Sequence, residues 1–143
     1  MGDRDHLPVV LKELGARILF HRIRLKPGKP MLAALLGDLL VLGLPGNPVS
    51  AYLNALLFLP LALARLEGRA APEPWRTAHL AAPVKHRGDR PLLHPCRWVE
   101  DRLEPLPAKG SADLITLARA DAFAWVEGPG QEAGAKVRYL TVV

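Results

Sequence analysis

Apolar and polar positions follow two different patterns along this chain, and the change between them divides it. Up to about residue 70 the apolar positions come in helical stripes and runs. Val9, Val10 and Leu14 form a stripe; with Asp5 as N-cap, Pro8 in the first turn and Gly15 as a stop, they predict a helix ending at Leu14. Ile18, Phe20, Ile23 and Leu25 alternate with basic neighbours, which predicts a strand from Arg17 to Leu25 with a slip near His21-Arg22. Met31 to Leu36 and Leu39 to Leu42 are two apolar runs split by Gly37-Asp38, a hairpin signature. Asn47 then reads as an N-cap, Pro48 as the first helical position and Ala51 to Leu66 as a helix body. That body is apolar nearly all round, so it belongs in a layered domain or a subunit interface, with Pro60 kinking or splitting it.

Gly68 to Trp75, with Pro72 and Pro74, breaks the pattern and reads as a linker. It separates residues 1–70 from residues 76–143, with 71–75 as the connection. Beyond it the runs are short and strand-like: Arg76 to Lys85, Pro91 to Val99, Leu103 to Leu106, Ala122 to Val126 and Lys136 to Val142. Ser111 to Arg119 reads as a helix with Ser111 at its cap. The expected fold is α/β: an incomplete layered α/β domain followed by a small all-β domain, a barrel or a sandwich.

Composition changes this picture in three places. The 143 residues are 50% hydrophobic, enough for a packed core, and carry a formal net charge of +5, which suits an anionic ligand or a solvated basic surface equally well. Consecutive blocks of like charge, the mark of a nucleic-acid arm, are missing. One cysteine, Cys96, excludes an internal disulfide and has no metal-site spacing. Asn54, Pro60 and Arg65 interrupt the longest apolar stretch, so no membrane span and no signal peptide are expected and the chain is placed in the cytoplasm.

The candidate chemistry sits in two segments. Leu25-Lys-Pro-Gly-Lys-Pro30 sets Lys26 and Lys29 on a loop stiffened by prolines, a preorganised cationic rim that wants an anion. The helix start at Asn47 offers backbone N–H groups and a positive dipole end, and the Ser50 hydroxyl is placed either to reach an anion there or to cap the first turn. The Gly37-Asp38 hairpin would bring both segments to one end of a sheet. Asp3 and Asp5 precede a helix, where capping and a functional role are both open. His6 and His21 read as structural or solvent-facing.

Lys26-Pro-Gly-Lys-Pro30 followed by Gly43-Leu-Pro-Gly-Asn-Pro-Val-Ser-Ala51 resembles the molybdopterin molybdenumtransferases, the MoeA proteins and the E-domain of gephyrin. Gly2-Asp-Arg-Asp5 is similar to the family's G-D-x-D, and Lys109-Gly-Ser111 to its Q-G-S. The resemblance implies the C-terminal portion of such an enzyme, with a partial three-layer, molybdopterin-binding-like α/β domain and a terminal barrel. It implies insertion of molybdate into adenylylated molybdopterin during molybdenum cofactor biosynthesis, with magnesium as the accompanying ion. Residue by residue it implies catalytic roles for Asp5, Lys26 and Arg22, the last where the family generally has a lysine. Lys26, Lys29, Asn47, Ser50 and Ser111 would bind the substrate, and Asp3 and Asp5 the metal. It further implies a homodimer and contact with a molybdopterin adenylyltransferase.

Two departures accompany the resemblance. Pro95 stands where the family presents an arginine, with Arg97 two residues on, and Asp121 replaces an asparagine. The family's T-S-G-G phosphate turn and upstream acidic residues have no counterpart, so the chain alone is expected to fold yet be inactive. A non-catalytic dimerisation or scaffold module is the alternative reading. A basic nucleic-acid-binding barrel is a further one, for which Trp75, Trp98 and Trp125 would supply stacking faces unless they are core residues.

Overall fold

The computed structural model describes residues 5–142, so Asp3 lies outside the described residues. Three short strands, β1 (Arg17–His21), β2 (Leu32–Leu36) and β3 (Leu39–Gly43), form one antiparallel sheet, with the predicted turn at Gly37-Asp38 between β2 and β3. Helix α1 (Leu7–Glu13) covers one face through Leu11, which packs on Leu32 and Ala34. A register shift between Ile18 and Phe20 turns β1 over, and Phe20 meets Phe58 of helix α2 (Pro48–Leu66) with ring centroids 5.6 Å apart. Helix, sheet and helix thus make the partial three-layer arrangement.

The second half closes into a five-stranded barrel. Strands β4 (Arg76–Leu80), β6 (Leu92–Val99), β7 (Arg102–Pro105), β8 (Ala122–Val126) and β10 (Lys136–Thr141) are ordered β10-β4-β7-β6-β8, with α3 (Leu114–Arg119) between β7 and β8. A small two-stranded sheet, β5 (Val84–Lys85) on β9 (Gly130–Gln131), stands beside it. Alternate residues point inward, so Leu80, Cys96, Leu103, Ala122, Ala124 and Val126 fill the barrel. Burial there pushes the Cys96 thiol up to about 12, which leaves it inert.

Several elements depart from the sequence pattern, each for a local reason. The first helix, Leu7–Glu13, is capped by His6 and not by Asp5: the His6 carbonyl accepts the N–H groups of Val9 and Val10, at 3.1 and 3.0 Å. Its last residue is Glu13. β1 stops at His21, where Arg22 takes a left-handed conformation with φ 73°. The run from Arg76 to Lys85 is two strands, since Ala81-Ala82-Pro83 bends the chain and proline has no N–H for the ladder. Pro60 is exposed and does not split α2, which continues through it to Leu66. Unbroken, α2 is long and apolar enough to cross a membrane by length and composition. Its N-terminal half is instead buried on the barrel: Val49 and Leu53 share a core cluster with Leu93, Phe123 and Leu140.

Candidate functional site

The lysine loop is the tip of the β1–β2 hairpin. Arg22 N–H donates to Met31 O at 2.8 Å and Ile23 N–H to Lys29 O at 2.9 Å, so residues 24–28 turn over at the end. Asn54 of α2, with none of its surface exposed, fixes this tip from below. Its Nδ2 donates to Gly28 O at 3.3 Å and to Ser50 O at 2.8 Å, while its Oδ1 is buried with no partner. Gly28 is required here: its φ is 131°, and a Cβ would lie 2.8 Å from Asn54 Nδ2.

The tip is then sewn to the barrel. Lys26 N–H donates to Pro91 O at 2.9 Å and Leu93 N–H to Lys26 O at 2.8 Å, a parallel bridge onto the first residues of β6. Arg24 donates to Asp89 O at 2.9 Å, and Arg90 Nη1 donates to Leu25 O at 3.3 Å. Leu25 is buried in the core cluster shared with the barrel, so the loop is anchored on both sides of its lysines.

The third wall comes from the segment before α3. Asp113, and not Ser111, caps that helix: its carboxylate accepts Thr116 N–H at 3.0 Å, the Thr116 hydroxyl at 2.7 Å and Lys109 N–H at 3.1 Å. The Thr116 bonds lead in holding the Asp113 carboxyl down to about 2. Ser111 is left for α2. Asn47 Nδ2 donates to Ser111 Oγ at 2.8 Å, and Val49 N–H to Ser111 O at 3.2 Å. Pro48 has no N–H, and the Val49 and Ala51 N–H groups bond to Ser111 O and Asn47 O, which leaves the Ser50 N–H of this helix start without a partner among the described residues.

These walls enclose an open cleft of about 710 Å³. Lys26, Lys29, Asn47, Ser50 and Ser111 all line it. Asp5 lines a neighbouring hollow of about 400 Å³ that shares Pro30 and Asn47 with the cleft. Arg22 is exposed and outside the cleft lining. Among the described residues no group of three or more His, Cys, Asp or Glu side chains is placed to hold a metal ion.

Sequence reasoning missed the barrel's share of the cleft. Lys85, His86, Arg87, Arg90 and His94 line it, as does Pro95, whereas Arg97 is bound to Glu104 on the outer wall. The signal was Arg87-Gly-Asp-Arg90, two cations flanking a turn, which reads as a surface turn until its fold neighbours are known. Burial, opposed by a weaker hydrogen bond to the Leu106 backbone, holds His94 below the ordinary histidine range. The tryptophans are engaged: Trp75 and Trp125 meet edge to face at 5.3 Å under the Arg138 guanidinium, and Trp98 meets Tyr139 at 5.5 Å.

Residues 1–64 match the probable molybdopterin binding domain, and residues 77–142 match the MoeA C-terminal region, domain IV. The chain is similar to the molybdopterin molybdenumtransferase of Synechococcus elongatus, 45% identical over 87% of this chain and 31% of that protein. That of Bacillus subtilis is 30% identical over 99% of this chain and 35% of its own length. Two structures of the molybdopterin biosynthesis MoeA protein of Pyrococcus horikoshii align with TM-scores of 0.71 and 0.76, at 25% and 27% identity. They cover 87% and 94% of this chain and 32% and 34% of their own. The chain thus spans about a third of the length of these relatives.

Proposed function

Because this chain belongs to the molybdopterin molybdenumtransferase family, as its C-terminal portion, we propose that its cleft serves the insertion of molybdate into adenylylated molybdopterin in molybdenum cofactor biosynthesis. One observation carries the reading: the two loop lysines, Ser50 and the Asn47–Ser111 pair line a single cleft, and neither lysine has an ion-pair partner among the described residues. Molybdate, as substrate, would lie between Lys26 and Lys29, with Ser50 donating from the helix start. Asp5, across the Pro30–Asn47 ridge, would orient an attacking water; Arg22 would contribute only charge at a distance. Magnesium would find one described carboxylate on that side, Asp5, and the described residues do not form a cage for it, so no step is assigned to the ion.

We place the protein in the cytoplasm as a homodimer supplied by a molybdopterin adenylyltransferase. Support for self-association is the apolar surface left by Leu59, Leu61, Leu63 and Leu66 of α2 and its end, all exposed. The same surface favours a second reading, a dimerisation module without catalysis.

Titration of molybdate into the chain, followed by backbone amide shifts, separates the two. Shifts at the amides of Lys26, Gly28, Lys29 and Ser50 are expected. Lys26→Ala/Lys29→Ala should lower affinity by ~1.5–3 kcal/mol per lost contact and leave the melting temperature nearly unchanged. Unchanged affinity in the double variant, beside an intact dimer in sedimentation, would leave the module reading standing.

A further inference from the structure

The lysine tip and the start of α2 form two walls of the cleft, and one buried amide joins them from behind. Asn54 lies one turn beyond Ser50 on α2, with none of its surface exposed. Its Nδ2 is divided between the walls: it donates to the carbonyl of Gly28, the residue before Lys29, at 3.3 Å and to Ser50 O at 2.8 Å. Gly28 and Ser50 line the cleft, whereas Asn54 is not among the lining residues. The side chain acts through its neighbours.

On the tip side the fit is close. A Cβ on Gly28 would lie 2.8 Å from Nδ2 and 3.3 Å from Oδ1 of Asn54, so the tip backbone rests directly on the amide. The other side of the tip is held by the barrel, where Lys26 pairs with the first residues of β6. Held from both sides, the tip keeps a fixed distance from the helix start. This arrangement carries a cost, because Oδ1 of Asn54 is buried with no partner, and an acceptor left so destabilises the core. The orphan is tolerated where Nδ2 spans the two walls, which fits a role in position more than in stability.

We infer that Asn54 is a positioning residue that sets the gap between the lysine tip and the helix start, and that this gap selects among tetrahedral oxyanions by size. The inference rests on the preceding section's reading of the cleft as a molybdate site and deepens it. Sulfate shares the shape and charge of molybdate and is smaller, because sulfur–oxygen bonds are shorter than molybdenum–oxygen bonds. A gap held open suits the larger ion, and a tip free to move closes on either.

Molybdate and sulfate are the probes, each titrated into the whole chain and followed by amide shifts, with thermal melts alongside. The wild-type chain should bind molybdate at least about fivefold more tightly than sulfate. Asn54→Ser leaves a hydroxyl that can bond back to Ser50 O and releases Gly28, so it should bring the two affinities within about twofold of each other. A substitution that merely weakened the fold would lower both affinities together, so their ratio reports position. Wild-type affinities within about twofold of each other overturn the inference, as does a molybdate preference retained in Asn54→Ser. Should Asn54→Ser fail to fold, Asn54→Leu, which keeps the branching at Cγ and removes both bonds, decides in the same way. Lys26→Ala/Lys29→Ala separates the two readings. Molybdate binding insensitive to it sinks the proposed function, and affinities that fall with the lysines while their ratio ignores Asn54 sink this inference alone.

Discussion

Arg97 and Arg90 belong to the same barrel, yet their charges are treated in opposite ways. On the outer wall Arg97 faces Glu104 across the β6–β7 ladder, its Nε 2.6 Å from the carboxylate. In the cleft Arg90 sits beside Lys26, and neither has an acidic partner among the described residues. Arg97 is neutralised within the fold, so it contributes to the sheet and leaves nothing for a ligand. Arg90 is held by the Leu25 carbonyl instead, which fixes its position and leaves its charge intact. Charge that the fold positions but does not neutralise marks the binding surface better than charge density does.

Three experiments strain that contrast. The largest effect is expected from Gly28→Ala, which forces a side chain into a left-handed backbone and against the Asn54 amide. It should cost about 1–3 kcal/mol in stability and displace the lysine tip. A variant that melts like the wild type and binds molybdate equally well would mean the tip is not held by the Gly28–Asn54 contact.

Next is pH, because the cleft contains a half-buried histidine, His94. His94 titrates lower in the folded chain than in the unfolded one, chiefly through burial. The unfolded chain therefore binds more protons between the two values, so the His94 contribution is complete above about 6.5 and is lost as pH falls through the lowered folded value. Melting temperature should drop from about pH 7 to about pH 5, and His94→Gln should flatten the slope. A slope of the opposite sign, or one unaltered in His94→Gln, would remove His94 from the account. Asp113, held at about 2, loses stability in the same direction but at lower pH, below the ordinary carboxylate range.

The smallest effect belongs to the outer wall. A double-mutant cycle on Arg97 and Glu104 should give a coupling of about 0.2–1 kcal/mol that weakens with salt, with molybdate affinity unchanged in every member. A fall in affinity on losing Arg97 would bring it into the site and dissolve the distinction drawn above.

Much of the lysine side of the cleft was legible in the sequence because its determinants are local. Pro27, Gly28 and Pro30 stiffen a turn, and Asn47-Pro48 starts a helix, within twenty-odd residues of one another. The barrel side was not, since Arg90 becomes a cleft residue only once Lys26 pairs with the start of β6. Asp113 was passed over for Ser111 because either side chain can cap a helix from that region; the choice depended on Asn47 reaching across to engage the serine. Pro60 likewise did not split α2, which runs unbroken from Pro48 to Leu66.

The seam between hairpin tip and barrel also bears on when the cleft comes into being. Leu25 and Arg90 lie 65 residues apart in the chain, and closing so long a loop costs entropy that neither segment's own turns recover. Sheet, helix and barrel must each be in place before their shared edge can form. An anion in this cleft would therefore act as a latch on the finished fold: it can be held only after the slowest contacts are made, and by mass action it delays their opening.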